Sequence, residues 1–363
     1  MLSALSETML EDPAFYIGWG GLIIGTIFGF IVYRTNFCAM GSISDINAFG
    51  DWRRFRSWLM AGAVAMLGVA WLEAAGHADM SMAMYTAPNF TWGANIVGGL
   101  VFGIGMVLGG GCVSKNLVRT GGGDLRSLFV IVVIGVSAFM TIGGLFGPFR
   151  VAAFGPLMTD LSAAGMADQR LGTILAGLTG MAPATAGWVA LAVVAGGILL
   201  YCLKDRGFRT SPSHLIAGIG IGLCVTAGWL LMALTYDEFA DNPTLISLTF
   251  ARPTGDSLDF LMRYTAFSSV GFGVASLGGT ILGAFLGAIS KGKFALAGFA
   301  GTRDTARNLV GAVMMGFGGV LALGCTVGQG ITGLSTLAIG SFLTLASIVA
   351  GGFAGMKLME RLA

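Results

Sequence analysis

The sequence predicts an all-α polytopic membrane protein with about nine transmembrane helices, short re-entrant or broken helices, and two inverted-topology repeats around a central pore. Three observations support this prediction: the composition, a series of apolar stretches of membrane-spanning length, and an internal repeat. Charged residues make up 10% of the 363 residues and hydrophobic residues 55%. A typical soluble domain has about 25% charged residues. The composition therefore excludes an ordinary soluble protein.

The apolar stretches are each about 20 residues long, which is the length that an α-helix needs to cross a bilayer. Nine such stretches are separated by charged residues or turn signals. They lie at residues 16–33, 58–75, 94–111, 126–147, 185–203, 213–235, 264–289, 308–324 and 334–355. An odd number of spans puts the two termini on opposite sides of the membrane.

The basic residues indicate the orientation. With the N-terminus outside, only Arg150, Arg170, Arg252 and Arg263 of the 20 basic residues fall on the outer face. Cytoplasmic loops carry an excess of Lys and Arg. We therefore expect a multi-pass protein of the bacterial inner (plasma) membrane, surrounded by lipid, with a periplasmic N-terminus and a cytoplasmic C-terminus. The net charge of only +2 argues against a nucleic-acid partner.

An internal repeat links the two halves of the sequence. Asn95–Cys112 and Asn308–Cys325 share nine of 18 aligned positions at an offset of 213 residues. The first copy leads to an inner loop and the second to an outer loop, so the repeats are inverted. We expect one membrane domain with residues 1–148 (spans one to four) as the first repeat, 149–212 as a connector that includes span five, and 213–363 (spans six to nine) as the second. Inverted repeats are typical of transporters, whose substrate site lies between the halves.

Three cysteines, Cys38, Cys112 and Cys325, each lie at a predicted helix break among glycines and small polar residues. Irregular backbone at membrane depth is tolerated only where protein buries it or where it lines a cavity. A helix that begins after such a break presents its positive end to the cavity and favours an anion. We therefore predict that the three cysteines line the pore, supported by Gly41, Gly109, Gly110, Gly111, Ser114, Gly324, Thr326 and Gln329.

Other kinds of site have less support. The sequence has no CxxC motif, and its two histidines, His77 and His214, stand apart, so we expect no metal site and no cofactor. Cys202 and Cys224 lack polar flanks and are interpreted as ordinary buried residues. Neutral thiols suit a soft, sulfur-containing anion better than phosphate, which would attract arginine. A membrane-embedded thiol oxidoreductase and a passive anion channel remain alternatives.

The stretches NFCAMGS, GGGCVSKNLVRTGGG and LGCTVGQGITG resemble the YeeE/YedE family of bacterial sulfur-compound transporters. The resemblance implies a transporter and not an enzyme. It also implies uptake of thiosulfate, or a closely related anion, passed along by transient hydrogen bonds from the thiols of Cys38, Cys112 and Cys325. A cytosolic TusA-like sulfurtransferase is the implied partner. Because the family includes members assigned to other sulfur or selenium species, those substrates stay open.

Overall fold

The structure is a computed structural model that describes residues 2–236, 245–267, 269–299 and 301–362. It is 76% helical. The helices of the first half are α1 Leu2–Glu11, α2 Pro13–Thr35, α3 Ala39–Phe49, α4 Arg53–Ala74, α5 Trp92–Leu108, α6 Val113–Gly121, α7 Leu125–Ile142 and α8 Gly147–Phe154. Those of the second are α9 Leu171–Thr179, α10 Pro183–Lys204, α11 Arg206–Arg209, α12 Pro212–Leu234, α13 Ala251–Met262, α14 Phe272–Ile289, α15 Thr302–Leu321 and α16 Ile339–Leu362.

Short elements complete the described fold. Two short strands, β1 (Asn89–Phe90) and β2 (Thr159–Asp160), pair antiparallel. A π-helix, Gly328–Gly333, lies between α15 and α16. The predicted all-α polytopic membrane fold, with short helices between the long ones, is confirmed.

Eight helical stretches among the described residues are long and apolar enough to cross a membrane, where the sequence predicted nine. The difference lies at the predicted span 308–324, where α15 forms a helix of 20 residues. Arg303, Asp304 and Arg307 lie within its first six residues. These charges make the first turns of α15 polar, and the helix packs mainly on α5 and α7.

Glycines bring α2 and α14 into backbone contact. A Cβ on Gly25 or Gly29 of α2 would collide with the backbone of α14, and a Cβ on Gly279 or Gly283 of α14 would collide with the backbone of α2. Each pair is spaced four residues apart, which is the GxxxG arrangement of close membrane helix pairs. The glycine excess of the sequence therefore serves helix packing here.

The helix contacts occur in matched pairs. α2 packs on α14 and α12 packs on α4, while α5 packs on α16 and α15 packs on α7. The same match holds for the short elements: α6 contacts α7 and α14, and the π-helix contacts α16 and α4. Each of these helices of the first half therefore has a counterpart in the second half that makes the equivalent contacts. The counterparts are α2 and α12, α4 and α14, α5 and α15, α6 and the π-helix, and α7 and α16. Two pairs of counterpart helices, α2 with α12 and α5 with α15, also pack directly on each other.

Candidate functional site

The first cysteine begins a new helix after α2 ends. Asn36 adopts a left-handed conformation with φ 57° and ends α2. Cys38 is extended and is the N-cap of α3, and its Sγ accepts a hydrogen bond from the N–H of Gly41 at 3.3 Å. A side chain at Gly41 would collide with the guanidinium of Arg54. The helix break expected after the first span is therefore present, with the thiol at the N-terminus of α3.

The second cysteine follows a glycine turn. α5 ends at Leu108, and Gly110 and Gly111 have φ values of 69° and 159°, which favour glycine. Cys112 is the N-cap of α6, and its Sγ lies 3.3 Å from the hydroxyl of Ser114. Asn116 Nδ2 donates to the carbonyls of Gly111 at 2.9 Å and Cys112 at 3.2 Å. Asn116 thus braces the break that presents the Cys112 thiol.

The third cysteine precedes the π-helix. Cys325 Sγ accepts a hydrogen bond from the N–H of Gly328 at 3.5 Å, and all six residues of the π-helix are buried. Gln329 Nε2 donates to the carbonyl of Ala322 at 2.7 Å, and its Oε1 accepts from the hydroxyl of Ser341 at 2.6 Å. Both ends of the Gln329 amide therefore have partners within the protein, and this side chain braces the break.

The three thiols lie close to one another. Cys38 and Cys112 are within hydrogen-bonding reach of each other, and Cys325 lies within electrostatic range of Cys112. The hydroxyl of Thr326 lies beside the Cys112 thiol. All three cysteines are free, and they are only 6%, 1% and 0% exposed. An ion can reach these thiols only when side chains move apart.

Positive charge lies on the α6 side of the thiols. Lys115 is near both Cys38 and Cys112 and donates to Asn36 Oδ1. Arg119 Nη1 donates to the carbonyl of Gly110 at 2.6 Å. The described residues contain no group of His, Cys, Asp and Glu that would hold a metal ion. The arrangement offers sulfur atoms, hydroxyls and backbone N–H groups to an anion, with cations at one end.

The residues singled out in the sequence fall into two groups. Those with side chains at the thiol cluster are Cys38, Cys112, Ser114, Cys325 and Thr326. Those that shape or brace the helix breaks are Gly41, Gly109, Gly110, Gly111, Gly324 and Gln329.

Two further residues at the site were missed by the sequence analysis. Asn116 occupies the position of Gln329 at the 213-residue offset. The sequence repeat could therefore have predicted that Asn116 stabilises its helix break as Gln329 does. Tyr85 comes from the loop before α5 and lies within electrostatic range of Cys325. No sequence pattern marks Tyr85, because its proximity to Cys325 joins residues that are far apart in the chain.

Comparison with known proteins identifies the family. A family model described as sulphur transport matches residues 34–354. The thiosulfate transporter TsuA of Spirochaeta thermophila is 27% identical over 344 residues, covering 92% of this chain and 97% of that protein. The thiosulfate transporter TsuA of Escherichia coli is 27% identical over 326 residues, covering 86% of each. The chain is a multi-pass membrane protein for sulfur-compound transport rather than an enzyme, and it belongs to the sulphur transport family, the YeeE/YedE family that its cysteine motifs resemble.

Proposed function

We propose that this protein imports thiosulfate across the inner membrane of a bacterium along a path formed by Cys325, Cys112 and Cys38. The observation that carries the proposal is the cluster of three buried free thiols, each at a helix break. The two relatives are both named thiosulfate transporters. A thiosulfate ion has a terminal sulfur and sulfonyl oxygens, so weak S–H donors and polarizable sulfur atoms match it well.

The anion moves by exchanging weak partners. Burying a charge without partners is prohibitive, so each step needs donors to replace water. The N–H groups of Gly41 and Gly328, which bond the sulfurs of Cys38 and Cys325, supply backbone donors at the two breaks. Neutral thiols hold the ion less tightly than an arginine would, and conduction requires that binding remain weak enough for release.

The proposal includes a direction. We assign residues 1–148 and 213–363 to inverted halves and residues 149–212 to their connector, with the N-terminus outside. The matched helix contacts described above support the assignment. In this orientation the ion meets Cys325 first, then Cys112 and Cys38, and Lys115 and Arg119 attract it towards the inner face.

On the inner face we propose transfer of sulfur to a cytosolic TusA-like sulfurtransferase with a reactive cysteine. The thiolate of that cysteine attacks the terminal sulfur of thiosulfate, the S–S bond of thiosulfate breaks, a cysteine persulfide forms and sulfite leaves. The inner-loop arginines Arg53, Arg54 and Arg56 each form an ion pair with a carboxylate of the same chain. Because their charges are already paired, we expect the partner to bind at the exit near Lys115 and Arg119 instead. Deleting the partner should reduce uptake by cells but leave uptake into proteoliposomes unchanged.

Uptake of labelled thiosulfate by single Cys→Ala variants tests the path. Replacement of Cys38, Cys112 or Cys325 should lower uptake at least tenfold, since each thiol is a step that the others cannot replace. Cys202→Ala and Cys224→Ala are matched controls, because both are also buried free cysteines and lie outside the proposed path. Normal uptake by all three path variants, at normal membrane levels, would refute the path.

Competition experiments identify the substrate among related species. An excess of unlabelled thiosulfate should block uptake of the label, whereas sulfate, sulfite and selenite should not. Block by one of these ions at a lower concentration than thiosulfate would reassign the substrate to that sulfur or selenium species.

A further inference from the structure

Three buried hydrogen-bond donors without acceptors surround one short segment, residues 326–333. They are the hydroxyls of Thr326 and Tyr85 and the indole N–H of Trp58, and none has a partner of normal hydrogen-bond geometry among the described residues. The hydroxyl of Thr249 lies near that of Tyr85 without this geometry. The three residues are only 1%, 3% and 2% exposed. A buried donor without an acceptor carries an energetic cost, and native proteins contain few of them. Their concentration around one segment of the proposed path calls for a functional explanation.

The hydroxyl of Tyr85 points to the start of the π-helix. The Tyr85 ring packs edge-on against Trp229, with ring centroids 6.4 Å apart. Its hydroxyl oxygen lies 3.5 Å from the position that a Cβ on Gly328 would take. Gly328 is also the residue whose N–H bonds the sulfur of Cys325, and Tyr85 lies within electrostatic range of that thiol. The Tyr85 hydroxyl and the Cys325 thiol therefore both lie beside Gly328.

Thr326 connects this point to the next thiol. It directly follows Cys325 in the chain, and its hydroxyl lies beside the thiol of Cys112. Sulfur is only a weak acceptor, so the hydroxyl is available to a stronger one. The two hydroxyls thus flank the step between Cys325 and Cys112, Tyr85 on the Cys325 side and Thr326 on the Cys112 side.

A sulfur oxoanion offers the acceptors that these donors lack. Its sulfonyl oxygens carry negative charge, and an O–H donor binds a charged oxygen more strongly than a thiol does. We propose that Tyr85 and Thr326 form an oxygen-binding subsite, in which their hydroxyls donate to the sulfonyl oxygens while the ion passes from Cys325 to Cys112. This inference rests on the proposed thiosulfate function and adds the residues that hold the oxygen end of the ion.

The subsite is uncharged, which suits an ion that must be released quickly rather than bound tightly. A lysine or arginine at this depth would bind the anion tightly and slow its release, whereas two hydroxyls stabilise it only while it passes. The subsite also distinguishes the two ends of the ion, because hydroxyls face the oxygens and thiols face the terminal sulfur. Sulfate, which has no terminal sulfur, matches only half of this arrangement.

Tyr85→Phe and Thr326→Val test the subsite because each removes a hydroxyl and keeps the shape of the side chain. In proteoliposomes, each variant should raise the half-saturation concentration for labelled thiosulfate about tenfold, the loss expected for one hydrogen bond to a charged group. The unfolding temperature should stay the same or rise, since an unmatched buried hydroxyl has been removed. Thr326→Ser restores a hydroxyl and should restore uptake.

Matched controls are Tyr33→Phe in α2 and Thr280→Val in α14, whose hydroxyl bonds the carbonyl of Ser276 within its own helix at 2.8 Å. Both should keep the wild-type half-saturation concentration. The same wild-type value in Tyr85→Phe and Thr326→Val would overturn the subsite, as would a parallel fall in unfolding temperature and uptake. If Cys112→Ala is inactive while these two variants are normal, only the subsite fails; if Cys112→Ala is also normal, the thiol path fails.

Discussion

The helix breaks at Cys112 and Cys325 are equivalent in the sequence repeat but differ in structure. Both follow a glycine-rich helix, α5 or α15, and in both an amide side chain four residues after the cysteine, Asn116 or Gln329, bonds backbone carbonyls of the break. After Cys112 the chain forms a regular α-helix, α6, whereas after Cys325 it forms a fully buried π-helix. The repeat preserves the brace but not the helix type.

The charges at the two breaks also differ. Lys115 of the first break corresponds to Gly328 of the second at the 213-residue offset. The space that a side chain at Gly328 would need is taken by the side chain of Thr249, and the Tyr85 hydroxyl lies next to it. The two halves therefore share a scaffold and differ in electrostatics, with a cation beside one thiol and neutral hydroxyls beside the other. Such an asymmetry would give the proposed pathway two chemically different ends.

The largest expected effect comes from adding a methyl group to the π-helix. Gly330→Ala would push a Cβ into the ring of Trp58, whereas the equivalent position in α6 already holds the buried Leu117. We expect a loss of about 3 kcal/mol of stability, the upper range for overpacking a core, together with loss of thiosulfate uptake. Thermal unfolding in detergent and uptake in proteoliposomes measure the two effects.

Gly196→Ala is the matched control for Gly330→Ala. No atom lies within 4 Å of a Cβ added to Gly196 in α10, so this change should be neutral or stabilising by up to about 1 kcal/mol. If Gly330→Ala behaves like Gly196→Ala, the π-helix does not pack tightly against Trp58, and the two breaks tolerate a side chain at this position equally well.

Removing the side-chain amide of Gln329 or Asn116 should lower the stability by less than Gly330→Ala does. Gln329→Leu leaves the carbonyl of Ala322 and the hydroxyl of Ser341 without their partner, at a cost of about 2 kcal/mol. Asn116→Leu should cost about 1 kcal/mol, because the carbonyl of Cys112 keeps its hydrogen bond from the N–H of Asn116 and only the carbonyl of Gly111 loses the Asn116 amide. Thermal unfolding of both variants measures the two losses of stability. A larger loss for Asn116→Leu would show that the amide at the first break contributes more to stability than the amide at the second, contrary to this prediction.

The smallest effect is expected for the cation of the first break. Lys115→Gln removes the positive charge beside Cys38 and Cys112 and should lower thiosulfate uptake about fivefold, which corresponds to roughly 1 kcal/mol. Lys115→Arg keeps the charge and should retain most of the uptake. Lys204→Gln, at the exposed end of α10, serves as a control for the loss of one basic residue. Equal uptake by Lys115→Gln and Lys204→Gln would remove the electrostatic difference between the breaks.

The sequence predicts the membrane fold and the helix breaks because both depend on local composition. A glycine run such as Gly109–Gly111 inside an apolar stretch interrupts a helix wherever it occurs. The π-helix was not predicted, since it packs against α4, which is far away in sequence, with Trp58 of α4 lying against Gly330. Eight of the nine predicted spans are long and apolar helices among the described residues, and the ninth, 308–324, forms the helix α15, whose first turns are charged. The position of Tyr85 near Cys325 likewise depends on the fold of the loop before α5 and not on local sequence.

The backbone contact between α2 and α14 has a mechanical consequence. Helices that touch through Gly25, Gly29, Gly279 and Gly283 lose their closest packing as soon as they separate, so they are expected to move as one rigid unit. A rocking-bundle cycle, in which whole halves swing apart, would have to break such contacts. The ion is therefore expected to pass by small rotations of α3, α6 and the π-helix inside a fixed frame. A cross-link that joins α2 to α14 should leave transport intact.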